Sequence, residues 1–231
     1  AGIGGRTSRI GYAESADGIH LDYRQATPVF YPDGSDISRT YEWKGGCEDP
    51  RVVAANVKGK TLYVMTYTAW NNRTPRLAIA TSTDLQHWTK HGPALLNAYN
   101  GKFKDLACKS GSIVTEVVNG RQVAAKVNVG GKEKYLMYWG EQWVCAATSD
   151  DLVNWTPYVD ENQNLVYLVT PREGYFDSML TECGPPAVKT SDGIILFYNG
   201  KNDSGAKADA AYPLNTYAAG QILFSNDNPL Q

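Results

Sequence analysis

The chain has 231 residues, of which 20% are charged, and its formal net charge at pH 7 is −2. Such a composition is ordinary for a globular protein, and the chain is long enough to form one large core. The near-neutral charge argues against nucleic acid and anionic membrane surfaces as partners, and no apolar run reaches membrane-spanning length. The opening residues 1–6 do not resemble a signal peptide.

The cysteine and aromatic residues further narrow the class of protein and the kind of ligand. The four cysteines are widely spaced and form no CxxC pair, which excludes a zinc ribbon and favours buried free thiols (Cys47, Cys108, Cys145, Cys183). No cofactor or metal site is implied. The chain also contains 15 tyrosines and 6 tryptophans, whose flat rings suit stacking on sugars, although many must belong to the core.

A short turn sequence recurs along the chain. Ser and Asp stand two residues apart at Ser15–Asp17, Ser82–Asp84 and Ser149–Asp151, where successive serines are 67 positions apart, and a weaker copy begins at Ser225. Ser and Asp side chains accept hydrogen bonds from the backbone N–H groups of a turn. The repeat therefore predicts strand–turn–strand hairpins with a purely structural role.

Aromatic and β-branched residues dominate the segments between these turns, and no long helical periodicity appears. Predicted strands cover residues 52–57, 61–68, 76–81, 112–118, 122–129, 135–139, 143–148 and 193–198. A repeat of this length with about four strands is typical of a β-propeller blade. We therefore predict an all-β propeller, of which this chain covers about three and a half to four blades and lacks strands at both ends.

Polar stretches recur once per predicted blade, where loops would converge on the propeller axis. They are residues 5–9, 48–51, 109–111, 176–178 and 182–186. In the second, Pro50 favours an extended Asp49, so that Glu48 and Asp49 point to opposite sides. One carboxylate would face a pocket while Arg51 or backbone donors hold the other. Gly45 and Gly46 would let a ligand approach the chain.

Carboxylates, arginines and aromatic rings, without a nucleotide or metal motif, indicate sugar chemistry. Glycoside cleavage needs an acid for the leaving oxygen and, in inverting enzymes, a second group that activates water. We predict Asp49 as the acid and Glu182 as the base; the alternative for Glu182 is a salt bridge to a nearby arginine or lysine.

Other side chains carry two interpretations each. Tyr67 and Trp70 either form a sugar platform or pack in the core, and the same holds for the aromatic rings of the segment around Trp139, Glu141 and Trp143. Lys109 either meets a sugar hydroxyl or pairs with Asp49 or Glu48.

Three ordered motifs resemble glycoside hydrolase family 130: Gly4-Gly5-Arg6-Thr7-Ser8-Arg9, Gly46-Cys47-Glu48-Asp49-Pro50-Arg51, and Phe176-Asp177-Ser178 with Gly184-Pro185-Pro186. The resemblance implies a five-bladed propeller, with residues 1–231 in one catalytic domain, and activity on β-mannosides. It implies Asp49 as the acid, acting through the sugar 3-hydroxyl, and mannose held by Arg6 and Arg9. The full predicted substrate-binding set is Arg6, Ser8, Arg9, Glu48, Arg51, Tyr67, Trp70, Lys109, Trp139, Asp177 and Asn199.

The resemblance also distinguishes two activities, phosphorolysis and hydrolysis. Phosphorylases of the family place a Lys before the Gly-Pro-Pro segment and a His after the following strand, whereas this chain has Met179 or its neighbours and Asn199 there. Asp177 and Glu182 would repel phosphate. We therefore predict an inverting β-1,2-mannosidase-like hydrolase, with a β-mannoside phosphorylase and a non-catalytic glycan-binding propeller as alternatives. The expected partner is a mannose-containing oligosaccharide. The sequence is also compatible with a homo-oligomer. The expected compartment is the bacterial cytoplasm or periplasm.

Overall fold

A computed structural model describes residues 5–231, so Gly4 of the first motif lies outside the described residues. Strands dominate the described chain, and two short helical turns, Ser38–Glu42 and Ala98–Gly101, accompany them. No helix among these residues is long and apolar enough to cross a membrane. The strands are β1 (Ala13–Glu14), β2 (Tyr23–Arg24), β3 (Gly46–Val57), β4 (Lys60–Trp70), β5 (Pro75–Ser82), β6 (Trp88–Pro93), β7 (Gly111–Ile113), β8 (Thr115–Val118), β9 (Arg121–Ala124), β10 (Lys126–Val129), β11 (Lys132–Trp139), β12 (Cys145–Ser149), β13 (Thr156–Pro157), β14 (Leu180–Cys183), β15 (Val188–Lys189), β16 (Ile194–Lys201) and β17 (Tyr217–Phe224).

The first repeat is a four-stranded antiparallel meander, β3-β4-β5-β6. The predicted strands 61–68 and 76–81 fall within β4 and β5, and β3 continues the 52–57 segment back to Gly46. Apolar and β-branched residues on both faces of β4 and β5 are buried, as expected for strands packed between neighbouring sheets.

The second repeat is centred on β11. Its partner on one side is β12, followed by β13, whereas β7 and β10 share the other side end to end. The hairpin β8–β9 is inserted between β7 and β10. The predicted strands 112–118 and 122–129 are therefore each broken, because each supplies one piece to β11 and one piece to this hairpin.

The third repeat is centred on β16, which pairs with β14 and β15 along one side and with β17 along the other. The segment Gly184-Pro185-Pro186 separates β14 from β15. Proline has no N–H to donate to a ladder, so the paired strand is interrupted there.

The β8–β9 hairpin links the three repeats through parallel pairs, Thr115 with Val188 and Ala54 with Val123. The predicted all-β class is confirmed. The sheets found among the described residues do not close, and the count of five blades stays a prediction.

The recurring Ser-x-Asp turns form as predicted. In the third copy, Ser149 Oγ accepts the N–H groups of Asp151 and Leu152 at 3.1 and 2.9 Å. Asp151 Oδ1 accepts those of Val153 and Asn154 at 2.9 and 2.8 Å. The second copy, at Ser82, repeats this pattern. The recurring Ser-x-Asp sequence therefore stabilises hairpin turns, which agrees with its predicted structural role.

Two apolar clusters lie between the repeats. One joins Val64 and Ile79 of the first repeat to Met137 of the second. The other joins the second repeat to the third, where the rings of Tyr138 and Phe224 stack with centroids 4.4 Å apart. All four cysteines are free thiols, of which Cys108 is partly exposed and the others are buried.

Candidate active site

A buried ion pair supports the segment that carries the predicted acid. Glu42 is fully buried and accepts hydrogen bonds from Lys90 Nζ at 2.5 Å, Ser38 Oγ at 2.6 Å and Tyr67 Oη at 2.8 Å. A buried carboxylate is costly unless it is paired and hydrogen-bonded. These three partners fix the chain immediately before the Gly45-Gly46 pair.

Gly45 and Gly46 lie where other segments of the same chain approach the backbone closely. A Cβ on Gly45 would lie 2.0 Å from Trp70 Cδ1, and one on Gly46 would lie 2.3 Å from the Ser8 carbonyl oxygen. Gly46 also has φ +124°, which favours glycine. The prediction that these glycines admit a ligand is therefore wrong: Ser8 and Trp70 occupy the space.

The contact at Gly46 brings the first motif to the second. The backbone of Ser8 bonds to both sides of Gly46, through Ser8 N–H to Gly45 O at 2.8 Å and Cys47 N–H to Ser8 O at 3.0 Å. The Ser8 hydroxyl then donates to Glu48 Oε1 at 2.7 Å. Ser8, and not Arg51, thus holds the Glu48 carboxylate.

Asp49 lies in a β-bulge between Glu48 and Arg51 of β3 and has φ +51°. The extended conformation predicted from Pro50 is therefore wrong, because the extra residue of the bulge must be accommodated by left-handed backbone. The Asp49 side chain is half-exposed, and its Oδ2 accepts a hydrogen bond from the Thr68 hydroxyl at 3.2 Å.

Lys109 stands among three carboxylates. Its Nζ lies 3.1 Å from Glu141 Oε1, 3.6 Å from Glu182 Oε1 and 4.0 Å from Asp49 Oδ2. Burial alone would lower the pKa of Lys109, but the hydrogen bond to Glu141 and the charges of Glu182, Glu141 and Asp49 outweigh it. The pKa is raised above its ordinary value, and the lysine stays cationic.

Glu182 enters this cluster from the third repeat and is mostly buried. Ser110 donates its hydroxyl proton to Glu182 Oε1 at 2.6 Å. Since Asp49 and Glu182 each lie within 4.0 Å of Lys109 Nζ, their nearest oxygens are at most roughly 8 Å apart. That limit admits both the roughly 5–5.5 Å of retaining glycosidases and the shorter part of the roughly 6.5–9.5 Å range of inverting ones.

Arg51 joins the first repeat to the third. Its Nε donates to the Gly184 carbonyl at 2.6 Å and its Nη2 to the Cys183 carbonyl at 2.9 Å. Its Nη1 donates to the carbonyl of Asp49 at 3.2 Å, not to a carboxylate. The predicted substrate-binding guanidinium is thus engaged with the backbone, where it sets the spacing of the segments that carry Asp49 and Glu182.

Three predicted substrate-binding residues lie inside the protein. Tyr67 is 1% exposed, packs edge-on against Phe30 and donates to Glu42, so the core interpretation replaces that of a sugar platform. Asp177 is fully buried, where it binds Arg172 Nε at 3.1 Å and the Tyr198 hydroxyl at 2.7 Å. Its carboxylate is therefore occupied by Tyr198 and by the half-exposed Arg172. Trp139 is 3% exposed and contributes to the core, although it also adjoins a surface cleft.

The remaining predicted residues lie at the surface or rim. Arg6 and Arg9 are exposed, and Trp70 is half-buried on the side of β4 that carries Thr68. Asn199 is exposed and directly opposite Glu182 in the β14–β16 ladder, which puts both side chains on the same face. Their contact with substrate stays a prediction.

Three polar partners were not among the predicted catalytic and substrate-binding residues: Thr68, Ser110 and Glu141. Ser110 belongs to the predicted polar stretch 109–111, and Glu141 belongs to the segment that was considered for a sugar platform or the core. Thr68 follows the residue that was chosen as a platform. In a strand, neighbouring side chains point to opposite faces. Tyr67 points toward Glu42, and Thr68 therefore points to the face that carries Asp49.

Comparisons with known proteins show what this chain resembles. The family model for glycoside hydrolase family 130, described as beta-1,4-mannooligosaccharide phosphorylase, matches residues 5–227. A solved structure, reported under the statement that the GH130 family of mannoside phosphorylases contains glycoside hydrolases that target beta-1,2 mannosidic linkages in Candida mannan, is 60% identical with a TM-score of 0.91. The match covers 100% of this chain and 62% of that one.

A crystal structure of a glycosyl hydrolase from Bacteroides ovatus is 58% identical with a TM-score of 0.91, over 100% of this chain and 62% of that one. A 1,2-beta-oligomannan phosphorylase from Thermoanaerobacter sp. (strain X514) is 29% identical over 225 residues, which are 96% of this chain and 60% of the relative. The chain thus spans about three fifths of the length of these relatives.

Proposed function

Because the chain belongs to glycoside hydrolase family 130, we propose that it carries the acid and base of an inverting β-mannosidase that uses water as the nucleophile. Asp49 is the general acid, and Glu182 activates the water. We also propose that residues 1–231 belong to a single catalytic domain, a propeller of five blades. The substrate class is a β-1,2-linked mannooligosaccharide.

The observation that carries this proposal is the position of Lys109 among three carboxylates. A phosphate nucleophile needs cations and hydrogen-bond donors that are available to its oxygens. Here Lys109 is already neutralised by Asp49, Glu141 and Glu182, and Arg51 donates to backbone carbonyls. An excess of negative charge favours a neutral nucleophile over phosphate.

The proton transfers follow from these two carboxyl groups. Asp49 releases its proton toward the leaving glycosidic oxygen, directly or through a sugar hydroxyl, as the C–O bond breaks. Glu182 takes a proton from the water that attacks the anomeric carbon from the opposite face. The products are mannose of inverted configuration and the shortened saccharide, and proton exchange with solvent restores both carboxyl groups.

Relatives support two versions of the reaction. The 60% identical structure is reported in the context of hydrolases that target β-1,2 linkages, which favours hydrolysis. The family model and the Thermoanaerobacter relative are described as phosphorylases, which keeps phosphorolysis as the second candidate. A glycan-binding propeller without activity is the third candidate, and it would bind sugar without cleaving it.

Incubation of the enzyme with β-1,2-mannobiose, with and without inorganic phosphate, tests the proposal. We expect mannose at the same rate in both conditions, and proton NMR should show the α-anomer as the first product. Asp49→Asn should reduce the rate by about 10²–10⁴-fold, the usual contribution of general acid–base catalysis. Asp192→Asn, at an exposed turn, is the matched control and should retain activity.

Mannose 1-phosphate formed only in the presence of phosphate would replace this proposal with the phosphorylase. Binding of the disaccharide without any product would favour the glycan-binding protein.

A further inference from the structure

A surface cleft adjoins the acid–lysine cluster, and we propose that it binds a sugar ring of the oligosaccharide remote from the scissile bond. The inference rests on the proposed function and extends it to substrate length. The cleft has a volume of about 270 Å³. This is slightly less than the roughly 300–1,000 Å³ of pockets for drug-sized ligands, and it suits one sugar ring.

An aromatic pair forms the outer wall of the cleft. The rings of Trp143 and Tyr167 have centroids 4.7 Å apart and are inclined by 34°. They are 38% and 46% exposed, and both line the cleft. Exposed faces of Trp and Tyr combine an apolar surface with a polar edge, the combination that the C–H face and hydroxyls of a sugar require.

Polar groups also line the cleft. Glu141 lines the cleft and binds Lys109 at 3.1 Å, which connects the cleft to the cluster around Asp49. Trp139 also lines it, and its buried Nε1 has no hydrogen-bond partner among residues 5–231. Buried donors normally have partners. A sugar hydroxyl can accept from an indole N–H and donate to a carboxylate.

The walls are held in place before any ligand binds. Cys183 N–H donates to the Gly140 carbonyl at 3.0 Å, and Thr181 N–H donates to the Gln142 carbonyl at 3.3 Å, so β14 fixes the turn that carries Glu141 and Trp143. On the other side, Leu168 N–H donates to the Val144 carbonyl at 2.7 Å. A preformed site loses little conformational entropy on binding.

The location predicts a dependence on substrate length. Glu141 lines the cleft, and Lys109 connects it to Asp49, so two side chains separate the cleft from the proposed acid. We therefore expect a tetrasaccharide bound across Asp49 to contact the aromatic pair more than a disaccharide does.

The test compares Trp143→Ala and Tyr167→Ala with wild type on β-1,2-mannobiose and β-1,2-mannotetraose. We expect kcat/KM for the tetraose to fall about tenfold, equivalent to about 1.4 kcal/mol, and that for the biose to change less than about twofold. Tyr158→Ala is the matched control, since Tyr158 has a similar exposure in the same repeat and does not line the cleft. It should resemble wild type with both substrates.

Calorimetric titration of mannotetraose into Asp49→Asn tests the cleft without turnover. Adding Trp143→Ala to that variant should weaken binding about tenfold. Equal losses for both substrates, or unchanged tetraose binding, would overturn the inference. If the wild type cleaves neither substrate, the proposed function fails, and the titration alone decides whether the cleft binds saccharide.

Discussion

Lys109 sets the charge of the candidate site because one ammonium group faces three carboxylates. Its raised pKa keeps it cationic at neutral pH, where it offsets the repulsion between Asp49 and Glu182. Such repulsion would otherwise make ionisation of neighbouring carboxyl groups less favourable. The lysine therefore allows three carboxylates to stand close together in one site.

Replacing Lys109 by Met should lower kcat/KM by about ten- to hundredfold, because Asp49, Glu141 and Glu182 then lose the cation that stands between them. Initial rates on β-1,2-mannobiose measure the loss. Lys104→Met, at an exposed position of the same segment, is the control and should retain activity. An unchanged rate for Lys109→Met would contradict this role.

Among the structural elements, the Ser-x-Asp hairpins connect stability to pH. Burial acts to raise the pKa of Asp151, but hydrogen bonds from Asn154, Val153 and Ser149 outweigh it and lower the pKa to about 2. An unfolded Asp has a pKa of about 3.9. A depressed folded pKa stabilises the protein above the unfolded value, and this contribution is lost as the pH falls from about 4 through about 2.

Asp151→Ala should lower the free energy of unfolding at pH 7 by about 1 kcal/mol, because two turn N–H groups lose a charged acceptor but remain accessible to water. The difference from wild type should shrink as the pH approaches 2. Urea unfolding at pH 2.5, 4 and 7 measures both effects. Asp150→Asn provides the comparison, since Asp150 makes only an exposed ion pair with Lys134 and should cost less. A pH-independent difference for Asp151→Ala would refute the assignment.

At the scale of the whole molecule, the site depends on distant segments meeting at one place. Arg51 bonds to carbonyls of residues 183 and 184, which are more than 130 positions away in the chain. Asp49 precedes this arginine by two residues, and Glu182 immediately precedes one of its acceptors. A single side chain thus holds the predicted acid and base at a fixed separation.

Arg51→Met should destabilise the protein by about 2–3 kcal/mol, since two carbonyl groups lose charged donors. It should also reduce kcat/KM more than Arg121→Met, a change at an exposed position of β9 that serves as the control. Denaturant unfolding and initial rates on β-1,2-mannobiose measure the two effects. Normal stability together with normal activity would show that the arginine does not set the geometry.

The all-β class, the hairpin turns and the family are evident from the sequence. These properties depend on local patterns: Ser and Asp at fixed spacing cap the same turn wherever they occur, and β-branched runs favour strands. The sequence also predicted Asp49, Lys109 and Glu182 as site residues, because their polar stretches recur once in each repeat. The structure brings these three side chains together, and their roles stay predictions.

Which side chains face the site depends on contacts between distant segments. Tyr67 turns inward because the buried Glu42 accepts its hydroxyl proton, and Asp177 turns inward because the Tyr198 hydroxyl donates to its carboxylate. No local pattern encodes the approach of these segments. Asp49 adopts a left-handed conformation because its strand bulges against β4. Gly45 and Gly46 receive Trp70 and Ser8 instead of a ligand. In each case a long-range contact outweighs the local preference, since burial and pairing energies are realised only when the repeats pack together.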